Sequence, residues 1–364
     1  MEKFSQFRDK GMVSQPPTPV HDARTTYKFA GSGIAPFLPI PTESAGLRLP
    51  FHFFLFICRV PLMLVFALSY FLILQWMPIG VLGRKASLWC ILGIPGIWWI
   101  DLQIDGVKKG SLAKNVDRIP QHGSVIASSS ASPIDPLYLS AIFDPVFAAT
   151  YPYARQVEPI SLFTAVCRTF TYPKLHPPEG ARLVDIETLL KENPNRVVAV
   201  FPECTTSNGR GILPMSPSLL TIPPRTKVFP VSLRYTAPDV TTPIPHAYVT
   251  FLWNLCSKPT HCIRIRIAEA VYNTSKRPLE PAVAKTTSYT THYFDTLPSD
   301  TAASDADTLV GGEELEGPAI KEDRAFLDKI AENLARLGRV KRVGLGVKDK
   351  IEFVAMWKKS RSRW

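Results

Sequence analysis

Two stretches decide the fold of this chain: Ser128-Ser129-Ser130-Ala131-Ser132-Pro133-Ile134-Asp135 and Phe201-Pro202-Glu203-Cys204-Thr205-Thr206-Ser207-Asn208-Gly209. Each follows a short apolar run, Val125-Ile126-Ala127 in the first case and 196–201 in the second, and such runs predict buried strands. Taken alone, the first stretch is typical of a turn with a helix cap, and the second of a polar loop. Neither stretch by itself identifies a functional site.

Strands alternate with helical stretches on either side of these motifs. A helix is predicted through 137–143, after Pro136, and another over 182–191. Further strands are predicted at 227–233, 247–253 and 262–267, and a final amphipathic helix over 320–337. This alternation predicts an α/β fold in which a mostly parallel sheet is flanked by helices.

The N-terminal third holds the longest apolar segment. Residues 60–82 form a run of 23 residues without a charge, which is long enough to cross a bilayer core of roughly 30 Å as a helix. A second run, 86–100, is interrupted by Gly93, Pro95 and Gly96 and suits a re-entrant or interfacial segment. We therefore expect an N-terminal membrane helix or hairpin, with buried core helices as the alternative.

Charge is concentrated at the C-terminus. The net charge of the chain is +11, and residues 339–364 carry nine Lys or Arg against Asp349 and Glu352. An anionic membrane surface attracts such a segment by about 1 kcal/mol per basic residue. No nucleic-acid-binding motif accompanies these charges, and a solvated tail is the alternative. The six cysteines show no CxxC pair or zinc spacing, which predicts a reduced, cytosol-facing protein without structural metal.

Composition divides the chain into five regions. Residues 1–50 are Pro-rich and irregular, 51–100 anchor the protein to a membrane, and 101–298 form the α/β domain. Residues 299–319 are an acidic linker, and 320–364 carry the amphipathic helix and a basic tail.

The two quoted stretches resemble motifs one and three of the glycerolipid acyltransferases, whose usual forms are N-H-x-S-x-x-D and P-E-G-T-T-x-N. Members of that family transfer an acyl group from acyl-CoA to a hydroxyl of a glycerophosphate lipid. The stretches 7–11 and 33–39 are similar to the start of the fungal lysophosphatidic acid:oleoyl-CoA acyltransferases, where the two pieces are contiguous. Residues 12–32 are therefore expected to be an insertion or a gene-model artefact.

The resemblance assigns roles to several residues of this sequence. It implies that Asp135 is the acid of a catalytic dyad and that the phosphate of the acceptor lies near Glu203, Thr205, Thr206 and Lys174, the last in place of the Arg of a degraded second motif. Pro230 and Val231 match a fourth motif beside the acyl groove.

Two positions depart from the family pattern. Ser130 stands where the family keeps its catalytic histidine, and Cys204 replaces a glycine, so that the backbone loses easy access to positive φ. His122 and His176 are the candidate substitutes for the histidine, and each is more typical of a loop or surface residue.

Two hypotheses follow for function. The first is a membrane-bound acyl-CoA:lysophosphatidic acid O-acyltransferase of the endoplasmic reticulum, with lipid droplets as a second location. Its co-substrate is acyl-CoA, no further cofactor is expected, and its partners are lysophospholipid and membrane lipids. A general base typically lowers the activation barrier by roughly 3–5 kcal/mol, whereas positioning the reactants can lower it by about 7–11 kcal/mol. Slow acyl transfer with Asp135 or an ordered water as base is therefore physically possible. The second hypothesis is a non-catalytic lipid-binding or scaffolding protein of the same fold.

Overall fold

The computed structural model describes residues 2–9, 33–42, 46–75, 77, 80–108, 111, 115–273 and 318–361. The expected insertion at 12–32 and nearly all of the acidic linker lie outside these residues.

A seven-stranded sheet forms the centre of the protein, with the strand order β1-β8-β7-β2-β5-β3-β4. Its members are β1 (Ile97–Ile104), β2 (Val125–Ser128), β3 (Val146–Ala149), β4 (Glu158–Ile160), β5 (Val198–Val200), β7 (Val228–Tyr235) and β8 (His261–Ile267). Neighbours pair in parallel except at β7–β8 and β3–β4. The predicted mostly parallel sheet is confirmed. The short strands β6 (Gly211–Ile212) and β9 (Lys341–Arg342) pair separately.

Helices cover both faces of the sheet. They are α1 (Leu49–Leu68), α2 (Val81–Gly93), α3 (Ile134–Phe143), α4 (Leu162–Arg168), α5 (Ile186–Glu192), α6 (Tyr248–Cys256), α7 (Pro318–Gly338) and α8 (Val347–Arg361). On β2, Ile126 faces a core that includes residues of α2, α3, α4 and α6, while Val125 and Ala127 face a second core with α5 and α7. This alternation follows from the two-residue period of a strand.

The uncharged run 60–82 is not one continuous helix, in contrast to the expectation. Helix α1 starts earlier, continues as a π-helical turn over Ser69–Leu74, and α2 then starts at Val81. Residues 46–74 are long and apolar enough to cross a membrane, by length and composition only, and most of their side chains are exposed. Arg59 lies in the middle of this helix, where its guanidinium donates to the carbonyls of Pro95, Pro259 and Lys258.

The second apolar run, 86–100, is divided between α2 and the edge strand β1, so a re-entrant membrane segment is the wrong description. The turn between them requires Gly96, whose φ is +90° and where a Cβ atom would lie 2.4 Å from the Pro259 carbonyl oxygen. Trp98 and Trp99 lie exposed on β1.

The strand predicted at 247–253 is also wrong, because this stretch is helix α6. Its buried side chains Phe251, Asn254 and Leu255 are three and four residues apart, a helical spacing. The β-branched and aromatic residues nearby favoured a strand, and burial of one helical face determined the outcome.

The C-terminal basic segment is helix α8, which packs onto the domain. Phe353 and Val354 of α8 form a third apolar cluster with Phe7, Phe37 and Leu213. The N-terminal pieces meet here as well: the Asp9 amide donates to the Ile34 carbonyl (2.9 Å), and the Gly33 amide donates to the Asp9 carbonyl (2.9 Å). The chain therefore leaves this cluster and returns to it at adjacent points.

Candidate functional site

The two motifs lie together at one edge of the sheet. Strands β2 and β5 are parallel neighbours, with Val125 opposite Val198 and Ala127 opposite Val200, so their carboxyl ends are side by side. The chain segments that follow are in direct contact, since the Ser207 amide donates to the Ser130 carbonyl (3.0 Å). The crevice beyond the carboxyl ends of parallel strands is where ligands of such sheets usually bind.

A cavity of about 270 Å³ lies between this edge and α4. Four of the predicted site residues line it: Ser130, Thr205, Thr206 and Lys174. Asp135, Glu203, Pro230 and Val231 do not reach its wall. Pro230 and Val231 lie within the sheet, opposite Ala127 and Ser128 of β2, where the Val231 carbonyl accepts from the Ser129 amide.

Asp135 is fully buried in the first turn of α3 and shapes the turn that carries Ser130. Its Oδ2 accepts from the amides of Ala131 (2.7 Å) and Ser132 (2.9 Å), and its Oδ1 accepts from the Tyr235 hydroxyl. Burial raises the pKa of Asp135 to about 6, although these three donors oppose the rise. In this arrangement the carboxyl acts on the cavity through the backbone it holds.

Glu203 lies directly behind the cavity wall and is 1% exposed. Its Oε2 accepts from the Leu213 amide (3.2 Å). Burial raises the pKa of Glu203 to about 8, opposed by the amides of Leu213 and Ser130. Near neutral pH the buried side chain is therefore mostly the uncharged acid, and its position is that of a structural support for the loop 203–208.

A lysine that the sequence analysis had assigned to the basic tail reaches this loop. Lys350 of α8 is 1% exposed, and its Nζ donates to Thr205 Oγ1 (2.9 Å), Thr206 Oγ1 (2.9 Å) and the Thr206 carbonyl (2.6 Å). Burial lowers its pKa to about 7, opposed by Glu203. The spacing in the sequence could have indicated that Lys350 is buried, because it lies three residues after Val347 and four before Val354 and so shares one helical face with these buried side chains.

Cys204 has the backbone conformation for which the resembled motif uses glycine. Its φ is +59°, in the left-handed region that β-carbon-bearing residues avoid. The side chain contributes to the cavity wall, with Sγ 3.3 Å from Thr150 Oγ1, and burial raises the pKa of the thiol to about 11. The thiol therefore stays protonated near neutral pH and makes a poor nucleophile.

Cationic side chains at the cavity come from α4 and the segment after it. Lys174 is exposed at the rim, and Arg168 lies on the wall, where its guanidinium donates to the Tyr151 hydroxyl (3.0 Å) and forms an ion pair with Glu158 (3.4 Å). Both belong to the stretch 168–174, which is the best counterpart of the degraded second motif and in which the resemblance assigned a role only to Lys174. Arg168 and Lys350 are the two residues at this site that the sequence did not single out.

The wall of the cavity contains no histidine among the described residues. His122 precedes β2 and so lies at the opposite edge of the sheet from Ser130. His176 is exposed, with its ring 5.9 Å from that of Tyr153. Neither position offers a substitute for the absent family histidine.

Comparison with known proteins gives one informative similarity. The chain is 26% identical over 256 residues to a Schizosaccharomyces pombe protein named "Putative lysophosphatidic acid:oleoyl-CoA acyltransferase", and the match covers 67% of this chain and 83% of that protein. No protein-family model matches the chain. No solved structure gives a significant match. The similarity supports a relationship to lipid acyltransferases.

Proposed function

We propose that the protein is a membrane-bound, acyl-CoA-dependent acyltransferase that converts lysophosphatidic acid to phosphatidic acid. One observation carries the proposal: Ser130, Thr205 and Thr206, from two motifs about 70 residues apart, line one cavity together with Arg168 and Lys174. The name of the similar yeast protein supports the same reaction class.

The polar groups of this cavity suit a phosphate monoester. The Thr205 hydroxyl can donate a hydrogen bond to a phosphate oxygen, and two cations at the wall and rim supply charge compensation. The carboxylate of Glu158 already pairs with Arg168, which leaves Lys174 as the more available cation. The anionic head of the acceptor would then lie against residues 204–206, with its free hydroxyl towards Ser130.

Acyl transfer forms an ester bond and breaks a thioester bond. The hydroxyl oxygen of the acceptor attacks the thioester carbonyl carbon, the sulfur leaves with the bonding electron pair, and the hydroxyl proton ends on that sulfur to give free CoA. Because no imidazole from the described part of the chain lines the cavity, we assign most of the rate enhancement to positioning, which can supply about 7–11 kcal/mol. Asp135 contributes by fixing the turn of Ser130, whose hydroxyl can relay the proton.

Membrane attachment is part of the proposal. The exposed apolar helix 46–74 would place the domain at a lipid surface, where a lysophospholipid acceptor is found. We extend the proposal to the endoplasmic reticulum membrane, with lipid droplets as a second location and the α/β domain facing the cytosol. A fluorescent fusion that remained diffuse in the cytosol would contradict this part.

The decisive experiment is an acyl-transfer assay. Membranes containing the full-length protein would receive labelled oleoyl-CoA and lysophosphatidic acid, with heat-denatured membranes and a Thr205→Val/Thr206→Val variant as controls. We expect labelled phosphatidic acid above both controls. The missing histidine favours the second hypothesis, a lipid-binding protein without catalysis. Specific binding of lysophosphatidic acid without product would establish that alternative and overturn the acyltransferase proposal.

A further inference from the structure

We infer that Lys350 of helix α8 is a positioning residue of the cavity, which orients the Thr205 hydroxyl as a hydrogen-bond donor towards the phosphate monoester of a lysophospholipid. The inference deepens the proposed function and rests on it for the identity of the ligand. It assigns a role to the C-terminal helix that neither motif suggests.

Lys350 contacts both threonines of the loop directly. Its Nζ lies 2.9 Å from each hydroxyl oxygen and 2.6 Å from the Thr206 carbonyl oxygen. An ammonium group has three protons to donate, and these three acceptors use all of them. Lys350 itself does not line the cavity, so it can act on a ligand only through the threonines.

The hydroxyl protons of Thr205 and Thr206 have different partners. The charged form of Lys350, which its pKa of about 7 keeps substantially populated near neutral pH, only donates, so in that form both threonine oxygens accept from Lys350 and each hydroxyl directs its own proton elsewhere. Thr206 donates to the Thr242 carbonyl (2.7 Å). For Thr205, no acceptor within the described part of the protein takes the proton, and its side chain lines the cavity. The Thr205 hydroxyl is therefore left as a donor facing a ligand.

An oriented hydroxyl donor at Thr205 suits a phosphate monoester. Phosphate monoester oxygens accept hydrogen bonds and offer no donor when fully ionised, so they require donors that are already oriented. A cation behind the hydroxyl polarises it and strengthens the bond it donates in a region shielded from water. A neutral glycerol headgroup gains much less from the same arrangement. Lys350 is thus expected to favour phosphorylated over unphosphorylated lipids.

Helix α8 is held in place independently of the ligand. Phe353 and Val354 pack against Phe7, Phe37 and Leu213, and the Asn208 side chain of the same loop donates to the carbonyls of Ala35 and Leu38. The N-terminal pieces and helix α8 therefore support the loop together, and neither Lys350 nor Asn208 lines the cavity. This rigid support allows a buried lysine to keep a fixed distance to Thr205.

The test measures lipid binding by the full-length protein in detergent micelles, without acyl-CoA. Oleoyl lysophosphatidic acid and monooleoylglycerol, which lacks the phosphate, are the two probes. The variants are Lys350→Met, Thr205→Val and their combination, with Lys348→Met on the exposed side of α8 as the matched control. We expect Lys350→Met and Thr205→Val each to weaken lysophosphatidic acid binding by about 10-fold or more, with little effect on monooleoylglycerol. The double variant should be no weaker than the worse single variant.

Several results would overturn the inference. Equal losses for both lipids would show that Lys350 only maintains the fold, and multiplicative losses in the double variant would show that it does not act through Thr205. If Lys350→Met does not fold, as judged by its thermal transition, the decision rests on the partly exposed Thr205→Val, which must lose selectivity for the phosphorylated lipid. The binding measurement contains no acyl-CoA and does not depend on catalysis. A failure of the separate acyl-transfer assay would therefore refute the acyltransferase proposal without affecting the binding result.

Discussion

Glu203→Gln is the substitution whose outcome follows most directly from the structure. The glutamine has the shape of the uncharged acid but cannot ionise. In the folded protein the pKa of Glu203 is about 8, and its ordinary value, expected in the unfolded chain, is 4.5. Between these two pH values the unfolded chain loses the proton while the folded protein keeps it. The wild-type protein must therefore lose stability as the pH rises through this interval, whereas the Gln variant is spared this loss.

The size of the effect can be worked out from the same numbers. The interval spans about 3.5 pH units, and each unit corresponds to about 1.4 kcal/mol, so the stability of the wild type relative to Glu203→Gln should fall by about 5 kcal/mol between pH 4.5 and pH 8. This comparison cancels the titration of groups that do not interact with Glu203, while Asp135 and Lys350, which do, contribute to the measured difference. Any constant loss from the new amide group only offsets the curve.

Thermal and denaturant unfolding of both proteins in detergent, at half-unit steps from pH 4.5 to 8.5, would measure this difference. Glu352→Gln on the exposed side of α8 is the control for replacing a glutamate by glutamine. If the Glu203→Gln difference does not change with pH, Glu203 is ionised in the folded protein and the account of the loop is wrong. Because Glu203 does not line the cavity, the variant should also retain lipid binding.

Three further predictions follow from the site and the helix that carries it. Cys204→Gly should be more stable than Cys204→Ala by about 1 kcal/mol in denaturant unfolding, because both lose the thiol and only glycine accepts a φ of +59° without strain; equal stabilities would contradict this. Ser130→His should increase acyl transfer by at most about 10²–10⁴-fold. Asp135→Ala should reduce acyl transfer and destabilise the protein by about 3 kcal/mol, since three buried donors lose their acceptor. Unchanged transfer after Asp135→Ala would place the chemistry elsewhere. Arg59→Met should lower the melting temperature because the hydrogen bonds to the carbonyls of Pro95, Lys258 and Pro259 are lost. The variant should still resist alkaline carbonate extraction. An unchanged melting temperature would show that α1 is not fixed to the domain through Arg59.

The sequence alone was sufficient for four of the seven strands of the central sheet, and it missed β1, β3 and β4. The runs at 125–127, 196–201, 227–233 and 262–267 all form strands, because short apolar segments bounded by turn residues have few other ways to bury their side chains. The joint placement of the two motifs was expected from the family resemblance, and the parallel pairing of β2 with β5 is what brings their carboxyl ends side by side. Of the predicted site residues, Ser130, Thr205, Thr206 and Lys174 line one cavity, whereas Asp135, Glu203, Pro230 and Val231 do not.

Local pattern was insufficient wherever distant segments determine what is buried. The stretch 247–253 has strand-forming residues, yet it is helical because one face packs against the domain. The apolar run 86–100 contains an edge strand whose partner, β8, lies more than 150 residues later. No local signal shows that Arg59 would find carbonyl acceptors near residue 259.

The same reason explains Lys350. In sequence it is one of nine basic residues near the C-terminus, and charge alone favours a solvated or membrane-facing position for all of them. Only the packing of α8 on the N-terminal pieces carries this ammonium to Thr205 and Thr206, about 145 residues away in the chain. Residue type and spacing determined which side chains could perform chemistry at the sheet edge. Which of them face the cavity, and which support it from behind, was decided by contacts between segments far apart in the sequence.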